Sequence, residues 1–241
     1  MRNKIKCLSN EINVDLSEEN IDKFCCFKDL LVEWNKKMNL TAITEENVIV
    51  LKHFIDSLTA LKYIDNNKKI IDVGTGAGFP GIPIAIMKED VKLTLLDSLN
   101  KRLIFLNEVI SKNNLCNVEL VHGRAEDLGQ NKEYREKYDI SISRAVANLS
   151  TLSEYLLPFV KVGGKCICMK GPDSDKEIED AKKAIDKLGG KIIEIEKFNL
   201  PDSDIGRTII VIEKIKNTPK EYPRKAGIPS KEPIKWDEKN Y

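Results

Sequence analysis

The stretch Lys69-Ile70-Ile71-Asp72-Val73-Gly74-Thr75-Gly76-Ala77-Gly78-Phe79-Pro80-Gly81 decides the fold. Its first five residues form a short apolar run of the kind that makes a buried strand. Glycines follow at 74, 76 and 78, and then Pro80, which suits the first turn of a helix. A strand that passes through such a turn into a helix lets the backbone approach a bound ligand closely.

On the C-terminal side of this stretch, short apolar runs recur at 92–96, 118–121, 139–143, 165–169, 191–195 and 208–212. Amphipathic stretches separate the first five runs, and 80–87, 101–112 and 149–160 read as helices. Strand–helix alternation predicts βαβ units and a mainly parallel sheet. The last two runs are joined only through Asn199-Leu200-Pro201-Asp202, too short for a comfortable helical crossover, so the last strand is expected to be antiparallel. The predicted fold is α/β: a Rossmann-like, seven-stranded sheet in the layout of the class I methyltransferases.

On the N-terminal side the pattern is helical. Ser17 can cap a helix that carries Glu18 and Glu19 in its first turn and Ile21, Phe24, Phe27, Leu31, Trp34 and Met38 on one face. Thr44 is expected to begin a second helix through Val48, Leu51, Ile55, Leu58 and Leu61, ended by Asp65-Asn66-Asn67. This divides the chain into a helical extension packed on the core (1–66), the core (67–216) and a basic tail (217–241).

Bulk properties remove several function classes. The chain has 241 residues, 41% hydrophobic and 32% charged, with net charge +1, so no global field draws it to nucleic acid or membrane. Residues 1–11 lack the apolar run of a signal peptide, and no stretch reaches the ~18 apolar residues of a membrane span. The six cysteines form no C-x-x-C pair, and with two histidines no metal site is expected. Reduced thiols, mostly packed as small hydrophobes, fit a cytoplasmic location.

Several residues carry the chemistry. Asp97 ends the second strand about 20 residues beyond the glycine turn, where an acid accepts from ribose hydroxyls. That ribose belongs to NAD as well as to S-adenosyl-L-methionine. The dinucleotide fingerprint, however, needs a third glycine where this chain has Phe79, and Asp72 suits an ammonium better than a pyrophosphate. Gly123-Arg124-Ala125-Glu126-Asp127 follows the third strand, where a carboxylate can accept from an adenine amino group while Ala125 leaves room for the ring. Arg144 ends the fourth strand in Ser143-Arg144-Ala145-Val146-Ala147, facing the reaction centre, and is the nearest candidate for a catalytic residue. No D/N-P-P-Y motif for exocyclic amines follows that strand, and Cys166 and Cys168 lie within a strand rather than on a nucleophile loop. A target that is already a nucleophile fits best. Guanine N7 needs no deprotonation, so no general base is expected, and positioning supplies roughly 7–11 kcal/mol in well-aligned systems. His53 on the second helix reads as structural. The tail interleaves Lys214, Lys216, Lys220, Arg224, Lys225, Lys231 and Lys235 with Tyr222, Trp236 and four prolines, and basic and aromatic residues of this kind can hold RNA. Tyr222 and Ile228 also allow the tail to pack on the sheet edge. Otherwise RNA binding by the tail and cofactor binding by the core are expected to separate. An NAD-dependent oxidoreductase and an RNA-binding factor without chemistry remain as alternatives.

The ordered set of motifs resembles the bacterial 16S ribosomal RNA guanine-N7 methyltransferases, the glucose-inhibited division protein B family. The stretches that carry the likeness are Trp34-Asn35-Lys36-Lys37-Met38-Asn39-Leu40-Thr41-Ala42-Ile43, 53–58, 72–83 and Leu96-Asp97-Ser98-Leu99-Asn100-Lys101-Arg102. They continue with 123–128, 143–147, Gly163-Gly164, Lys170-Gly171 and Tyr222-Pro223-Arg224-Lys225-Ala226-Gly227-Ile228-Pro229. The resemblance implies S-adenosyl-L-methionine as cofactor, with contacts at Gly74, Phe79, Ala125, Glu126 and Arg144 beside Gly76 and Asp97. It also implies a guanine in the decoding-region loop of 16S ribosomal RNA, or of the small subunit, as target. Arg124, Lys170, Arg224 and Lys225 are the residues expected at RNA, and the chain is expected to act as a monomer without metal.

Overall fold

The computed structural model describes residues 1–234. Lys235 and Trp236, expected at RNA, lie outside the described residues. The chain begins with α1 (Arg2–Glu11), α2 (Glu18–Asn35) and α3 (Glu46–Ile49), then a π-helical turn, Val50–Ile55, α4 (Asp56–Leu58) and a 3₁₀ turn, Leu61–Tyr63. The alternating part is β1 (Lys69–Val73), α5 (Gly81–Met87), β2 (Lys92–Asp97), α6 (Asn100–Lys112), β3 (Val118–His122), α7 (Ala125–Leu128), β4 (Tyr138–Arg144) and α8 (Leu149–Leu156). A 3₁₀ turn, β5 (Val160–Lys170), α9 (Asp175–Lys187), β6 (Gly190–Asn199), β7 (Gly206–Lys214) and α10 (Ile228–Lys231) complete it.

The sheet has the order β3-β2-β1-β4-β5-β7-β6. Its strands run parallel except β7, which pairs antiparallel with both neighbours. The seven strands and the reversed late strand are those read from the sequence. The strand order reverses between β1 and β4, and ligand crevices open beyond the carboxyl ends of the strands at such a point. Register aligns those ends, with Val73 opposite Leu96, Asp97 opposite His122 and Arg144 opposite Met169.

Two apolar layers cover the sheet. On one face α2, the π-helical turn, α5 and α6 bring together Phe24, Phe27, Phe54, Phe79 and Phe105. Phe27 stacks on Phe79 at 5.1 Å between centroids and Phe24 meets Phe54 at 5.0 Å. The other face is closed by α8 and α9 through Leu152, Leu156, Ile178 and Ile185.

The helical extension differs from expectation in detail. Ser17 caps α2 in a reciprocal capping box with Asn20. The cap of α3 is Glu45 rather than Thr44, with its carboxylate accepting from the N–H groups of Asn47 and Val48. The single helix expected to reach Asp65 is broken into three short pieces by the π-helical turn and ends at Leu58. α1 was not expected because its residues are mostly polar, and only Ile5, Leu8 and Ser9 are buried. α9 was missed for the same reason.

The largest correction concerns the tail. As far as residue 234 it does not extend into solvent. The Arg135 guanidinium donates to the carbonyls of Gly129 (2.9 Å), Tyr222 (2.7 Å), Thr218 (2.7 Å) and Pro219 (3.2 Å), and Tyr222 is buried. Lys214, counted with the basic tail, is fully buried, and its ammonium donates to the Leu157 carbonyl and the Thr218 hydroxyl, both at 2.6 Å. The cysteines are less buried than expected. All six are free, but only Cys166 and Cys168 are buried, while Cys7 and Cys116 are exposed. Among the described residues no helix is long and apolar enough to cross a membrane.

Arg135→Ala should therefore loosen the C-terminal segment before the core. We expect a loss of about 1.5–3 kcal/mol in chemical denaturation, typical for hydrogen bonds to a charged group. Limited trypsin digestion should then cleave at Lys220 and Lys225 faster than in the parent protein. Unchanged cleavage would mean that other contacts hold the segment.

Candidate functional site: a two-compartment crevice at the strand ends

The glycine turn is held from below. Asp72 is completely buried, and its Oδ2 accepts from the Thr75 hydroxyl at 2.7 Å and the Gly81 N–H at 3.0 Å. Oδ1 has no partner. Burial pushes this carboxyl up to about 7, against the two hydrogen bonds that favour its ionised form. Asp72 thus supports the turn from beneath, rather than facing the crevice where an ammonium would lie. Gly74, Gly76 and Gly78 all have positive φ, +72°, +61° and +90°. A Cβ on Gly74 would lie 2.8 Å from Val146 Cγ2, so only glycine fits.

Asp97 ties the second strand to this turn. Its Oδ2 accepts from the Gly76 N–H (2.9 Å) and Arg102 Nη1 (3.2 Å), and its Oδ1 accepts from the Leu99 N–H (2.8 Å). Three of the carboxylate's roughly four acceptor sites are engaged, which leaves room for one more donor.

Two cavities meet at Gly74, Asp97, Ser98 and Val146. The larger, about 710 Å³, reaches from the glycine turn to Arg144, Lys170 and Arg207, and is walled by Thr41, His53 and Asp56 of the helical extension. The smaller, about 260 Å³, is bounded by residues 123–126 and Tyr155. Their sizes suit a small-molecule site. An elongated ligand that spans both cavities passes the four shared residues, with residues 123–126 at one end and the glycine turn at the other. The residues present therefore fit S-adenosyl-L-methionine.

Arg144 is not a surface arginine. Its Nη1 donates to the Lys52 and His53 carbonyls (3.1 and 3.3 Å) and to Asp56 Oδ2 (3.2 Å). The guanidinium lies 5.0 Å over the Phe79 ring, and His53 stacks on the same ring at 4.5 Å and 19°. Arg207 Nε donates to Asp56 Oδ1 at 3.0 Å, so one buried carboxylate sits between two arginines. His53 Nδ1 faces Arg144 Nη2 at 3.3 Å and Nε2 faces the Thr41 hydroxyl at 2.9 Å. Because arginine only donates, these partners assign His53 as the neutral Nε2–H tautomer. Burial first, then the Arg144 charge, pulls its pKa down to about 4. Asp56, Arg207 and Thr41 escaped the sequence reading. Asp56 could have been found, because it follows His53 at the i+3 spacing of one helix face. Arg207 gives no local signal.

The basic residues expected at RNA fall into two groups. Arg124 and Lys225 are exposed. Lys170 and Arg224, by contrast, are engaged inside the fold. Lys170 Nζ donates to the Ala147 carbonyl and pairs with Glu177, both at 2.6 Å. Arg224 forms a two-pronged pair with buried Glu154, Nε to Oε1 at 3.0 Å and Nη2 to Oε2 at 2.8 Å. Glu126 Oε1 accepts from the Gly227 N–H at 2.9 Å. Among the described residues, no group of three or more His, Cys, Asp or Glu is arranged to hold a metal ion.

His53 gives a signed pH prediction. Its folded pKa of about 4 lies below the usual histidine value, so the unfolded chain takes up the proton first as pH falls. Its contribution is complete above about pH 6.5 and is lost down to about pH 4. Denaturation midpoints of His53→Gln against the parent should converge as pH drops through that window. A constant difference would place the titration elsewhere.

Comparison with known proteins agrees with this geometry. The family described as rRNA small subunit methyltransferase G matches residues 20–205. A ribosomal RNA small subunit methyltransferase G from Alkaliphilus oremlandii is 57% identical over 226 residues, 93% of this chain and 95% of the relative. One from Acetivibrio thermocellus is 58% identical over 222 residues, 92% and 91% of the two chains. Among solved structures, M. jannaschii TYW2 in complex with AdoMet has a TM-score of 0.53 at 20% identity, covering 67% of this chain and 76% of that one. That likeness speaks for the fold alone. This chain belongs to the rRNA small subunit methyltransferase G family.

Proposed function

We propose that the chain transfers a methyl group from S-adenosyl-L-methionine to N7 of a guanine in 16S ribosomal RNA of the small ribosomal subunit. The observation that carries the reading is the two-compartment crevice at the β1–β4 switch point, in a chain of this family. S-adenosyl-L-methionine, when bound, supplies an electrophilic methyl group on a sulfonium. Gly74 and Gly76 offer close backbone approach, Asp97 receives the ribose, and Ala125 and Glu126 receive the adenine. Phe79 and Arg144 shape the end at which the methyl is presented.

The guanine enters the larger compartment, beneath residues of the helical extension. The methyl group that S-adenosyl-L-methionine would supply would pass to the N7 lone pair, with the S–C electron pair left on sulfur. No proton has to leave N7 first, so the chain needs to orient and desolvate rather than to act as a base. Neutral His53 and the ion-paired Arg144 suit that role, since His53 is a weak base whose acceptor nitrogen is taken up by Arg144, and Arg144 stays protonated. Of the four residues expected at RNA, Arg124 and Lys225 are the exposed pair, and we assign the phosphate contacts to them. The reading requires one chain and no metal, because N7 needs no Lewis acid to become nucleophilic.

The direct test incubates the protein with methyl-labelled cofactor and small subunits, then maps the label. Borohydride reduction and aniline should cleave the 16S RNA at one guanine. Label on an exocyclic amine or a ribose would overturn the assignment, and absence of label would favour an RNA-binding factor. If methyl transfer limits turnover, the rate should be flat from about pH 8 to 9, above the range in which Asp72 takes up its proton.

S-adenosylhomocysteine at a hundredfold excess over Kd should stabilise the folded chain by about 2.7 kcal/mol, with no effect of NAD. Gly74→Val should abolish that stabilisation, because its side chain meets Val146 and cannot adopt the positive φ.

A further inference from the structure

The sequence led us to expect that the tail holds RNA independently of the cofactor. The contacts of segment 222–231 place it elsewhere. Its Gly227 N–H is the donor on Glu126 Oε1, at 2.9 Å. Glu126 and Tyr155 are both walls of the smaller, 260 Å³ cavity. The segment therefore reaches a wall of that compartment from outside, at Glu126.

It is also firmly seated. The Arg224 backbone N–H donates to Glu154 Oε1 at 2.7 Å, in addition to the two-pronged side-chain pair, and Glu154 is wholly buried in α8 beside Tyr155. The Thr151 hydroxyl donates to the Pro229 carbonyl at 2.9 Å. Pro223 packs so closely on Gly129 that a Cβ there would lie 2.8 Å from its Cγ. Gly227 has φ of +84°, with open space where a side chain would stand. The backbone conformation that aims its N–H at Glu126 is thus one that glycine or asparagine adopts and a β-branched residue does not.

We propose that segment 222–231 is a positioning element of the cofactor site, fixing the Glu126 carboxylate through the Gly227 N–H so that its other oxygen meets the adenine amino group. A carboxylate held on one oxygen by a backbone donor cannot rotate away without losing that bond. Its free oxygen then discriminates a purine that presents an amino donor from one that presents a carbonyl. This rests on the reading that Glu126 receives the adenine.

The test measures binding of S-adenosylhomocysteine and of S-inosylhomocysteine, which replaces the amino group by a carbonyl, by calorimetry on the full chain well below its melting temperature. The parent should prefer the adenine ligand by roughly 10–100-fold, the range for a hydrogen bond to a charged group. Glu126→Gln should abolish or reverse that preference, since its amide oxygen accepts from the Gly227 N–H and its NH2 group then faces the purine. Gly227→Val should also lose most of the preference, and Gly227→Asn should keep it. A merely structural role would weaken both ligands alike and leave their ratio unchanged. Should Gly227→Val fail to fold, the paired change Arg224→Gln with Glu154→Gln unseats the segment without orphaning a buried charge, and should likewise lower the ratio. If the parent and Glu126→Gln show the same ratio, the adenine reading of Glu126 falls, and the proposal with it. If Glu126→Gln loses the preference while Gly227→Val and the paired variant retain it, the proposal alone is overturned.

Discussion

One buried carboxylate sets the geometry of the site. Asp72 lies at the end of β1 with no exposure and holds both ends of the following turn, Thr75 through its hydroxyl and Gly81 through its N–H. A charge so deep is costly unless it is hydrogen-bonded, and here the donors come from the loop it must shape. Gly81 completes the arrangement, because a Cβ there would lie 2.2 Å from Leu95 and 2.8 Å from the Asp72 oxygen. Without this anchor, Gly74 and Gly76 would not present their backbone to the crevice, and Asp97 would lose the Gly76 N–H it accepts from.

The helical extension supplies one wall of the crevice, and charge as well as apolar contact makes the join. Asp56, on the extension, bridges Arg144 at the end of β4 and Arg207 at the start of β7. Breaking a buried pair of this kind is much more costly than replacing it whole, so the three residues act as a unit. Phe79 lies within that unit, with His53 and Arg144 against it and Phe27 stacked on it from α2. The residue that departs from the dinucleotide fingerprint is thus the one through which the extension, the turn and the fourth strand touch.

Net charge of +1 hides a local separation of roles among the cations. Lys170, Lys214 and Arg224 pair with buried or half-buried carboxylates, and the two lysines also donate to backbone carbonyls, whereas Arg124 and Lys225 stay in solvent. Only exposed cations gain from release of counterions at a phosphate backbone. A basic count along a chain therefore overstates the surface available to RNA wherever the segment folds back.

The sequence by itself determined the sheet, the reversed β7 and the glycine turn, because these depend on local signals. Strands show as apolar runs, the turn shows as Gly74, Gly76 and Gly78, and Asp97 sits at a fixed distance along the chain. The helices α1 and α9 went unread because charged and polar residues dominate their composition, although Ile178, Ala181, Ala184 and Ile185 give α9 a helical apolar period, and the π-helical turn was invisible because no composition marks it. Only the tertiary structure decided which charges meet. Asp56 with Arg207, Arg224 with Glu154 and Gly227 with Glu126 are 151, 70 and 101 residues apart. Nothing local distinguishes such an arginine from one in solvent. Its partner exists only once the sheet has brought distant strand and helix ends to one edge, where burial removes the water that would otherwise satisfy both charges.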